Sequence, residues 1–410
     1  MPRIAGFASA ALAAVLLVCG CLPDGTPAYI EDGRTIILMA NDSSGEPALW
    51  TCDVKTRTAT SYPAPDDLLS AAATAPSDKE ERYPPTLKSV RVFDNQVWTT
   101  WRADAQHSLR FDPARKRFLP DGPAVDVPGW AAQAFPAGQK GKKCLFMDTG
   151  DGFLVLSFPD LKKIEGDWIE SPVPAGDFWW VDYGRNDTLS VYDATGKIAC
   201  SISDTAVKAV VKERGGGYPV YARIGGAGKV VLIVFQVRKQ QYFNLGVFDT
   251  SNGQLLWSVA EYYGPKYGVP LVTREAVWLV DANDVWLKAD PSSTRPADVA
   301  TTFPATTRSA ASTSPAGTAS TAPAVSTRPT TTAPSRQRAV TIVRYTQAGR
   351  EVVANLPIGA EDELGQFAPS PDGSHFLVVV NAKPSRLLFV PIKAGVTGKG
   401  IKVIELVDRK

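Results

Sequence analysis

Two histidines are the residues of this chain whose chemistry most readily supports catalysis. His107 and His375 are the only histidines among its 410 residues. An imidazole can act as the general base of a serine hydrolase, where a carboxylate orients it. His107 lies in the polar segment 105–108, and His375 directly follows a segment rich in turn residues, 370–374. We therefore predict that both are surface turn residues and that neither is catalytic.

An acidic loop at residues 148–152 is a second place where chemistry could occur. Its sequence, Asp-Thr-Gly-Asp-Gly, holds two carboxylates three positions apart. A calcium loop of the EF-hand type would end in a glutamate, and a carboxylate dyad would need a second Asp-Thr-Gly, but the sequence has neither. We predict a hairpin turn without a metal. Because the motifs of serine hydrolases, zinc peptidases and phosphate-binding loops are also absent, we predict no enzyme activity and no cofactor.

Three cysteines in the body of the chain, Cys52, Cys144 and Cys200, are the remaining reactive side chains. They lie far apart in the sequence, and no pair has the Cys-x-x-Cys spacing of a zinc or redox site. The simplest interpretation is that all three are small, buried apolar residues. At most one disulfide can form among them, and the sequence does not decide whether one does.

A hydrophobic export segment occupies the start of the chain. Arg3 precedes an apolar run, residues 4–18, which is too short for a comfortable membrane-spanning helix and is followed by Gly20 and Cys21. The sequence Val-Cys-Gly-Cys at 18–21 resembles the lipobox of bacterial lipoproteins. The resemblance implies that residues 1–20 are a signal peptide and that lipidation of Cys21 anchors the protein to a membrane. An ordinary secretory signal or an uncleaved anchor is the alternative.

The composition limits the classes of partner. Hydrophobic residues make up 44% of the chain, which is enough for a large core. The formal net charge is only +2, so the sequence lacks the basic field that nucleic-acid binding requires. Beyond the export segment, no apolar run reaches the roughly 18 residues of a transmembrane helix. We predict a body that folds outside the membrane and does not bind nucleic acid.

One segment, residues 291–337, differs sharply in composition from the rest. It consists mostly of Thr, Ser, Pro and Ala, with a few arginines. Such residues cannot bury enough apolar surface to offset the entropy of ordering the chain, so we predict a disordered insertion. The folded part of the chain then comprises residues 21–290 and 338–410.

Outside that segment, short apolar and β-branched runs alternate with turn residues, which is typical of β-strands. A phrase recurs in which a strand ends in aspartate and a turn follows, at Asp53, Asp112, Asp160, Asp193 and Asp249. These aspartates lie 33 to 59 residues apart, a spacing typical of four-stranded propeller blades. We predict a single all-β propeller of about seven four-stranded blades. The shortest interval predicts a degenerate or three-stranded blade near Asp193, so six or eight blades remain alternatives.

Two short motifs resemble known propeller repeats. The stretch 248–257, with Asp249, Gly253 and Trp257, resembles the Asp-x-x-x-Gly-x-x-x-Trp phrase of PQQ-like repeats, which implies that Trp257 docks onto a neighbouring blade. No adjacent-cysteine pair accompanies it, so the resemblance does not extend to binding of the PQQ cofactor. The second motif is similar to the Ser-Pro-Asp-Gly turn of WD40-like repeats in TolB-type periplasmic propellers. It is formed by Ser370, Pro371, Asp372 and Gly373.

Exposed aromatic residues are the best candidates for a binding surface. Tyr262, Tyr263 and Tyr267 lie in a loop sequence, where rings could contact a protein or stack on a sugar. Resemblance to PQQ-like lipoproteins of outer-membrane assembly implies protein partners. We therefore predict a non-catalytic protein-binding scaffold in the cell envelope, anchored to the inner or outer membrane and facing the periplasm or exterior. The alternative is a carbohydrate-binding or small-molecule-binding propeller, or an extracytoplasmic enzyme that uses the central funnel.

Overall fold

The chain folds as a ring of antiparallel β-sheets. A computed structural model describes residues 26–30, 33–66, 68, 85–102, 106–119, 134–139, 141–148, 153–158, 162–164, 172–176, 178–183, 188–211, 217–237, 243–262, 268–287, 335–359, 361–392 and 401–407. The predicted signal peptide and Cys21 lie outside these residues.

Each sheet is built from strands that follow one another in the sequence. In chain order the strands of the first four sheets are β1 (Ala28–Tyr29), β2 (Thr35–Asn41), β3 (Pro47–Asp53), β4 (Thr58–Tyr62), β5 (Thr86–Phe93), β6 (Gln96–Arg102), β7 (Gln106–Asp112), β8 (Arg117–Leu119), β9 (Ala134–Gln139), β10 (Lys142–Asp148), β11 (Phe153–Ser157), β12 (Val173–Gly176), β13 (Trp179–Tyr183), β14 (Leu189–Tyr192) and β15 (Ile198–Ile202).

The last three sheets continue the same pattern. Their strands are β16 (Gly217–Gly225), β17 (Val230–Val237), β18 (Phe243–Asp249), β19 (Leu255–Tyr262), β20 (Leu271–Val272), β21 (Val277–Leu287), β22 (Ser335–Thr346), β23 (Gly349–Pro357), β24 (Glu363–Pro369), β25 (His375–Asn381), β26 (Ser385–Pro391) and β27 (Lys402–Leu406). A helix, α1 (Asp204–Val211), links the fourth sheet to the fifth.

The seven sheets are the blades of a β-propeller, as the sequence predicts. Blades 1 to 7 are β1–β4, β5–β8, β9–β11, β12–β15, β16–β19, β20–β23 and β24–β27. The three-stranded sheet is blade 3, which directly precedes the blade that contains Asp193. Blade 4 has four strands, and in blade 3 the fourth position is marked by a single bridge between Leu156 and Lys163. The short interval from Asp160 to Asp193 includes this position, so the predicted three-stranded blade exists, one blade earlier than the blade of Asp193.

The hydrophobic core lies between the blades. One cluster joins Trp50 and Leu38 of blade 1 to Leu377 and Phe389 of blade 7. Similar clusters lie between blades 1 and 2, between blades 3 and 4, between blades 4 and 5, and across blades 5 to 7. Because each inner strand is covered on both faces, its sequence is apolar almost throughout, as in β17, where seven of eight residues are buried. The continuous apolar runs of the sequence therefore mark strands buried between two neighbouring blades.

The two ends of the ring differ in the length of their loops. We call the turn face the end that carries the turns between first and second strands and between third and fourth strands. These turns have two to five residues, apart from residues 392–401. The opposite end, the connection face, carries the loops between second and third strands and the links between blades. The loops between second and third strands have three to five residues, apart from the 47 residues between β21 and β22, and the links have five to 23.

The composition break of the sequence falls within blade 6. Residues 288–334, between β21 and β22, lie outside the described residues, but Leu287 pairs with Ser335 and the two strands form one antiparallel hairpin. The strand β22 begins at Ser335 and therefore includes the last three residues of the predicted insertion. The hairpin places both ends of this segment on the connection face.

Candidate functional site

The propeller closes through a polar network between its first and last blades. The Tyr29 hydroxyl lies 3.1 Å from Nε2 of His375, and Nδ1 of His375 lies 2.9 Å from the Ser374 hydroxyl. That hydroxyl in turn donates to Oδ1 of Asp372 at 2.9 Å. Both ring nitrogens of His375 therefore have neighbours within the protein. The prediction that His375 is a surface turn residue is wrong, because His375 begins β25 and is partly buried at the seam between blades 7 and 1.

The electrostatics of the seam favour a neutral imidazole. Burial lowers the pKa of His375, an effect that Asp372 opposes and Lys402 reinforces. Hydrogen bonds from Ser370 and Ser374 lower the pKa of Asp372 to about 2. At neutral pH the seam thus holds an ionised Asp372 and an uncharged His375, which suits a structural hydrogen bond to Tyr29.

The other predicted chemical residues are not brought to this seam. His107 lies in β7 of blade 2, where it pairs with Trp101, so it belongs to a strand and not to the predicted turn. Asp148 ends β10 in blade 3, and the rest of the acidic loop, residues 149–152, lies outside the described residues. The two histidines are therefore in different blades.

Four of the five repeated aspartates stabilise the turns between third and fourth strands, as their position in the sequence predicts, and the fifth, Asp160, lies outside the described residues. Oδ1 of Asp53 accepts the backbone N–H of Lys55 at 2.9 Å, and Oδ1 of Asp249 accepts that of Ser251 at 2.8 Å. The same hydrogen bond, to the residue two positions on, forms at Asp112 and Asp193. These carboxylates satisfy backbone donors of the turn face and act as structural groups.

The motif Asp249–Trp257 joins three blades. Trp257 is only 6% exposed, and its Nε1 donates to the carbonyl oxygen of Arg274 in blade 6 at 2.8 Å. The guanidinium of the same arginine binds Oδ2 of Asp249 at 2.8 Å. Gly253 has a φ of +71°, and a Cβ at this position would overlap the carbonyl oxygen of Ser201 in blade 4. The position of Trp257 between blades 5 and 6 agrees with the docking role that we predict for it. The role of Arg274 as its partner was not predicted, because nothing in the local sequence of Arg274 distinguishes it.

The Ser-Pro-Asp-Gly motif forms the turn between β24 and β25. The N–H of Gly373 donates to the carbonyl oxygen of Ser370 at 2.9 Å, and Gly373 has a φ of +66°. Oδ1 of Asp372 accepts the Ser370 hydroxyl at 2.6 Å. Pro371 lines a cavity on the propeller axis, so this turn lies at the inner edge of the turn face.

The three cysteines are buried in different blades. Cys52, Cys144 and Cys200 lie in blades 1, 3 and 4, and none of them forms a disulfide with another. Burial raises the pKa of Cys52 to about 12 and that of Cys200 to about 11. Both thiols therefore stay protonated, which agrees with the interpretation that they are packing residues.

A cavity of about 570 Å³ lies on the propeller axis near the turn face. Its wall is formed by the first strands of the blades and their adjoining turns, so the first strand of each of these blades is the innermost. Arg91 of β5 and Arg223 of β16 both line it, as does Asp94, whose carboxylate lies 2.7 Å from Nζ of Lys143. Sequence reasoning missed both arginines, because 132 positions separate them and each occupies an ordinary strand.

The three tyrosines that we predict to bind a partner belong to the link between blades 5 and 6. Tyr262 is the last residue of β19, and its backbone pairs with Phe243. The side chain of Tyr262, together with Tyr263 and Tyr267, lies outside the described residues. Because β19 ends at the connection face, the link that carries these residues starts there.

Within the described residues, no cluster of three or more His, Cys, Asp or Glu side chains could hold a metal ion. No helix in the same part of the chain is both long and apolar enough to cross a bilayer.

Comparison with known proteins does not assign the chain to a family. No family model and no curated protein matches the sequence. Among solved structures, the Dos1 propeller is 9% identical with a TM-score of 0.43, covering 92% of this chain and 96% of its own. Semaphorin 2a of Drosophila is 9% identical with a TM-score of 0.39 (95% and 74% covered), and TolB from Acinetobacter baumannii is 15% identical with a TM-score of 0.32 (57% and 53% covered).

Proposed function

We propose that this protein is a lipid-anchored propeller on the outer side of a bacterial cytoplasmic membrane or on the outer membrane. There it acts as a non-catalytic scaffold that binds other envelope proteins. The anchor is Cys21, which follows an apolar export segment and a lipobox-like sequence. The binding surface is the connection face.

The observation that carries this proposal is the difference between the two faces. The turn face has short hairpins held by aspartate side chains, whereas the links of up to 23 residues and the 47 residues between β21 and β22 are on the connection face. Binding residues are usually found on loops that a rigid scaffold positions. The link that contains Tyr263 and Tyr267 belongs to this set.

The anchor is close to the folded part of the chain. Five residues can span at most about 18 Å, so Cys21 must lie within that distance of Thr26. A lipid on Cys21 would therefore hold the propeller close to the membrane, which favours partners that are themselves membrane-bound.

The environments of the polar residues support a non-catalytic role. Both ring nitrogens of His375 face protein hydroxyls, and the aspartates of the repeated phrase accept hydrogen bonds from their own turns. These groups are used to stabilise the ring.

Fractionation of cells that express the full chain tests the anchor. Wild-type protein should pellet with membranes, require detergent for release and incorporate a clickable fatty acid. Cys21→Ser should lose both the label and the pelleting, while the matched variant Cys19→Ser should keep both. Equal labelling of Cys21→Ser and Cys19→Ser would contradict lipidation of Cys21.

Affinity capture from detergent extracts tests the scaffold role. A triple variant, with Tyr262, Tyr263 and Tyr267 each replaced by alanine, should lose envelope proteins that the wild type and the turn-face control Arg115→Ala recover. Recovery of the same proteins by all three would place the binding surface elsewhere.

A second candidate function, binding of a small molecule, is favoured by the arginines of the central cavity. It uses a different site and does not depend on the anchor.

A further inference from the structure

The central cavity has the dimensions of a small-molecule site. Its volume of about 570 Å³ falls within the roughly 300–1,000 Å³ typical of such pockets. Apolar side chains form much of the wall, including Val90 and Val92 of blade 2, Phe178 of blade 4 and Leu271 of blade 6.

Two arginines enter the cavity from different sides of the ring. Arg91 belongs to blade 2 and Arg223 to blade 5, so two blades separate them in one direction and three in the other. Arg91 is only 9% exposed, which is unusual for an arginine in a strand. Both arginines therefore line one space on the propeller axis.

The surroundings of Arg223 leave its charge available to a ligand. Its guanidinium packs over Gly176, which has a φ of +85° and where any Cβ would overlap Nη1 of the arginine. Within the described parts of the chain, Arg223 forms no hydrogen bond or ion pair. The carboxylate of Asp94, which also lines the cavity, is matched by Lys143. Glycine at 176 thus makes room for a cation at the cavity wall.

We propose that this cavity binds a small organic anion, with Arg91 and Arg223 contacting its carboxylate or phosphate group and the apolar wall contacting its carbon skeleton. A guanidinium presents a planar set of donors that matches these oxyanions, and the interaction is stronger away from water. The site is separate from the connection face and is independent of the scaffold function.

Calorimetric or NMR titration of the full-length protein in detergent tests this proposal with three probes. Benzoate combines an apolar ring with a carboxylate, citrate supplies several carboxylates, and benzamide is the neutral counterpart of benzoate. Benzoate should bind at least tenfold more tightly than benzamide, and citrate should compete with it. Benzoate that binds no better than benzamide, or no binding of either anion, would overturn the proposal.

Three variants locate the binding. Arg91→Met and Arg223→Met remove one charge each while keeping an unbranched apolar stem, and each should weaken benzoate binding at least tenfold. Arg115→Met removes the same charge from an exposed turn and should leave the affinity unchanged. If Arg91→Met lowers the thermal midpoint strongly, Arg223→Met alone decides, because Arg223 is only partly buried. Unchanged affinity in a folded Arg223→Met variant would contradict the site.

Discussion

The Tyr29 hydroxyl lies 3.1 Å from Nε2 of His375, and the two residues are 346 positions apart in the chain. Tyr29 belongs to the first blade and His375 to the last, and each of these blades is built only from its own consecutive strands. Among the described strands none is exchanged across the seam, so side-chain contacts close the ring. The apolar cluster around Trp50 and this hydrogen bond both join the two ends.

Removing the two partners in a double-mutant cycle measures their contribution to closure. Tyr29→Phe and His375→Phe keep the rings and remove the polar atoms. Each should lower the free energy of unfolding by about 1 kcal/mol, and the double variant should lose less than the sum, because both changes break the same bond. Urea denaturation supplies the values. Strictly additive losses would show that the two residues do not interact.

The free energy of unfolding should fall as the pH drops below about 6.5, the ordinary pKa of histidine. Burial holds the pKa of folded His375 below this value, with Lys402 acting in the same direction and Asp372 against it. The unfolded chain therefore binds more protons in this range and is favoured by acid. Asp249 and Asp372, with pKa values of about 2, stay ionised there.

Urea denaturation at pH 7.5 and 5.5 checks this pH dependence. The wild type should lose more stability than His375→Phe between the two values. The same loss in both proteins would assign the dependence to other groups.

Trp257 should be among the most costly residues to truncate. Trp257→Ala removes a buried indole at the interface of blades 5 and 6 and should lower the free energy of unfolding by about 3–5 kcal/mol. Trp257→Phe keeps most of the apolar contact and loses only the hydrogen bond to Arg274, so its loss should be clearly smaller. A thermal midpoint of Trp257→Ala close to that of the wild type would contradict the docking role.

Substitutions at the residue four positions after the turn aspartate should change the free energy of unfolding in opposite directions in blades 2 and 5. Lys116 of blade 2 has a φ of +55°, a conformation that costs an L-residue about 1–2 kcal/mol and that glycine adopts freely. Lys116→Gly should therefore raise the free energy of unfolding by up to about 1 kcal/mol, since the added freedom of the unfolded chain offsets part of the gain.

The matched change in blade 5, Gly253→Ala, should be destabilising by more than about 1 kcal/mol, because it adds both this strain and the overlap with Ser201. Thermal and urea denaturation of both variants compare the effects. A destabilised Lys116→Gly together with a neutral Gly253→Ala would refute the conformational argument.

The sequence predicts the architecture well because the relevant signals are local. An aspartate at the end of a third strand accepts hydrogen bonds from the next few residues, so Asp53 and Asp249 mark their turns without reference to the rest of the molecule. Their spacing then gives the number of blades. The helix α1 was not predicted, because it spans only eight residues and is stabilised by packing of Val207, Val210 and Val211 against blades 4 and 5.

The candidate sites could not be predicted in the same way, because they depend on closure of the ring. Arg91 and Arg223 line one cavity only because blades 6, 7 and 1 close the ring between them. His375 meets Tyr29 because the last blade returns to the first, and Arg274 meets Trp257 through a bend between β20 and the next strand. Periodicity gives the number of blades, but it does not show which side chains meet across the axis or the seam.

Site-specific photo-cross-linking in living cells tests the scaffold function most directly. The photoreactive residue p-benzoylphenylalanine replaces Tyr263, on the link that starts at the connection face, or Arg115, on an exposed turn of the turn face. We predict discrete adducts with membrane-associated envelope proteins from position 263, lost when Cys21→Ser releases the protein, and none of these adducts from position 115. Adducts from position 115 alone, or from neither position, would contradict a scaffold that binds its partners through the connection face.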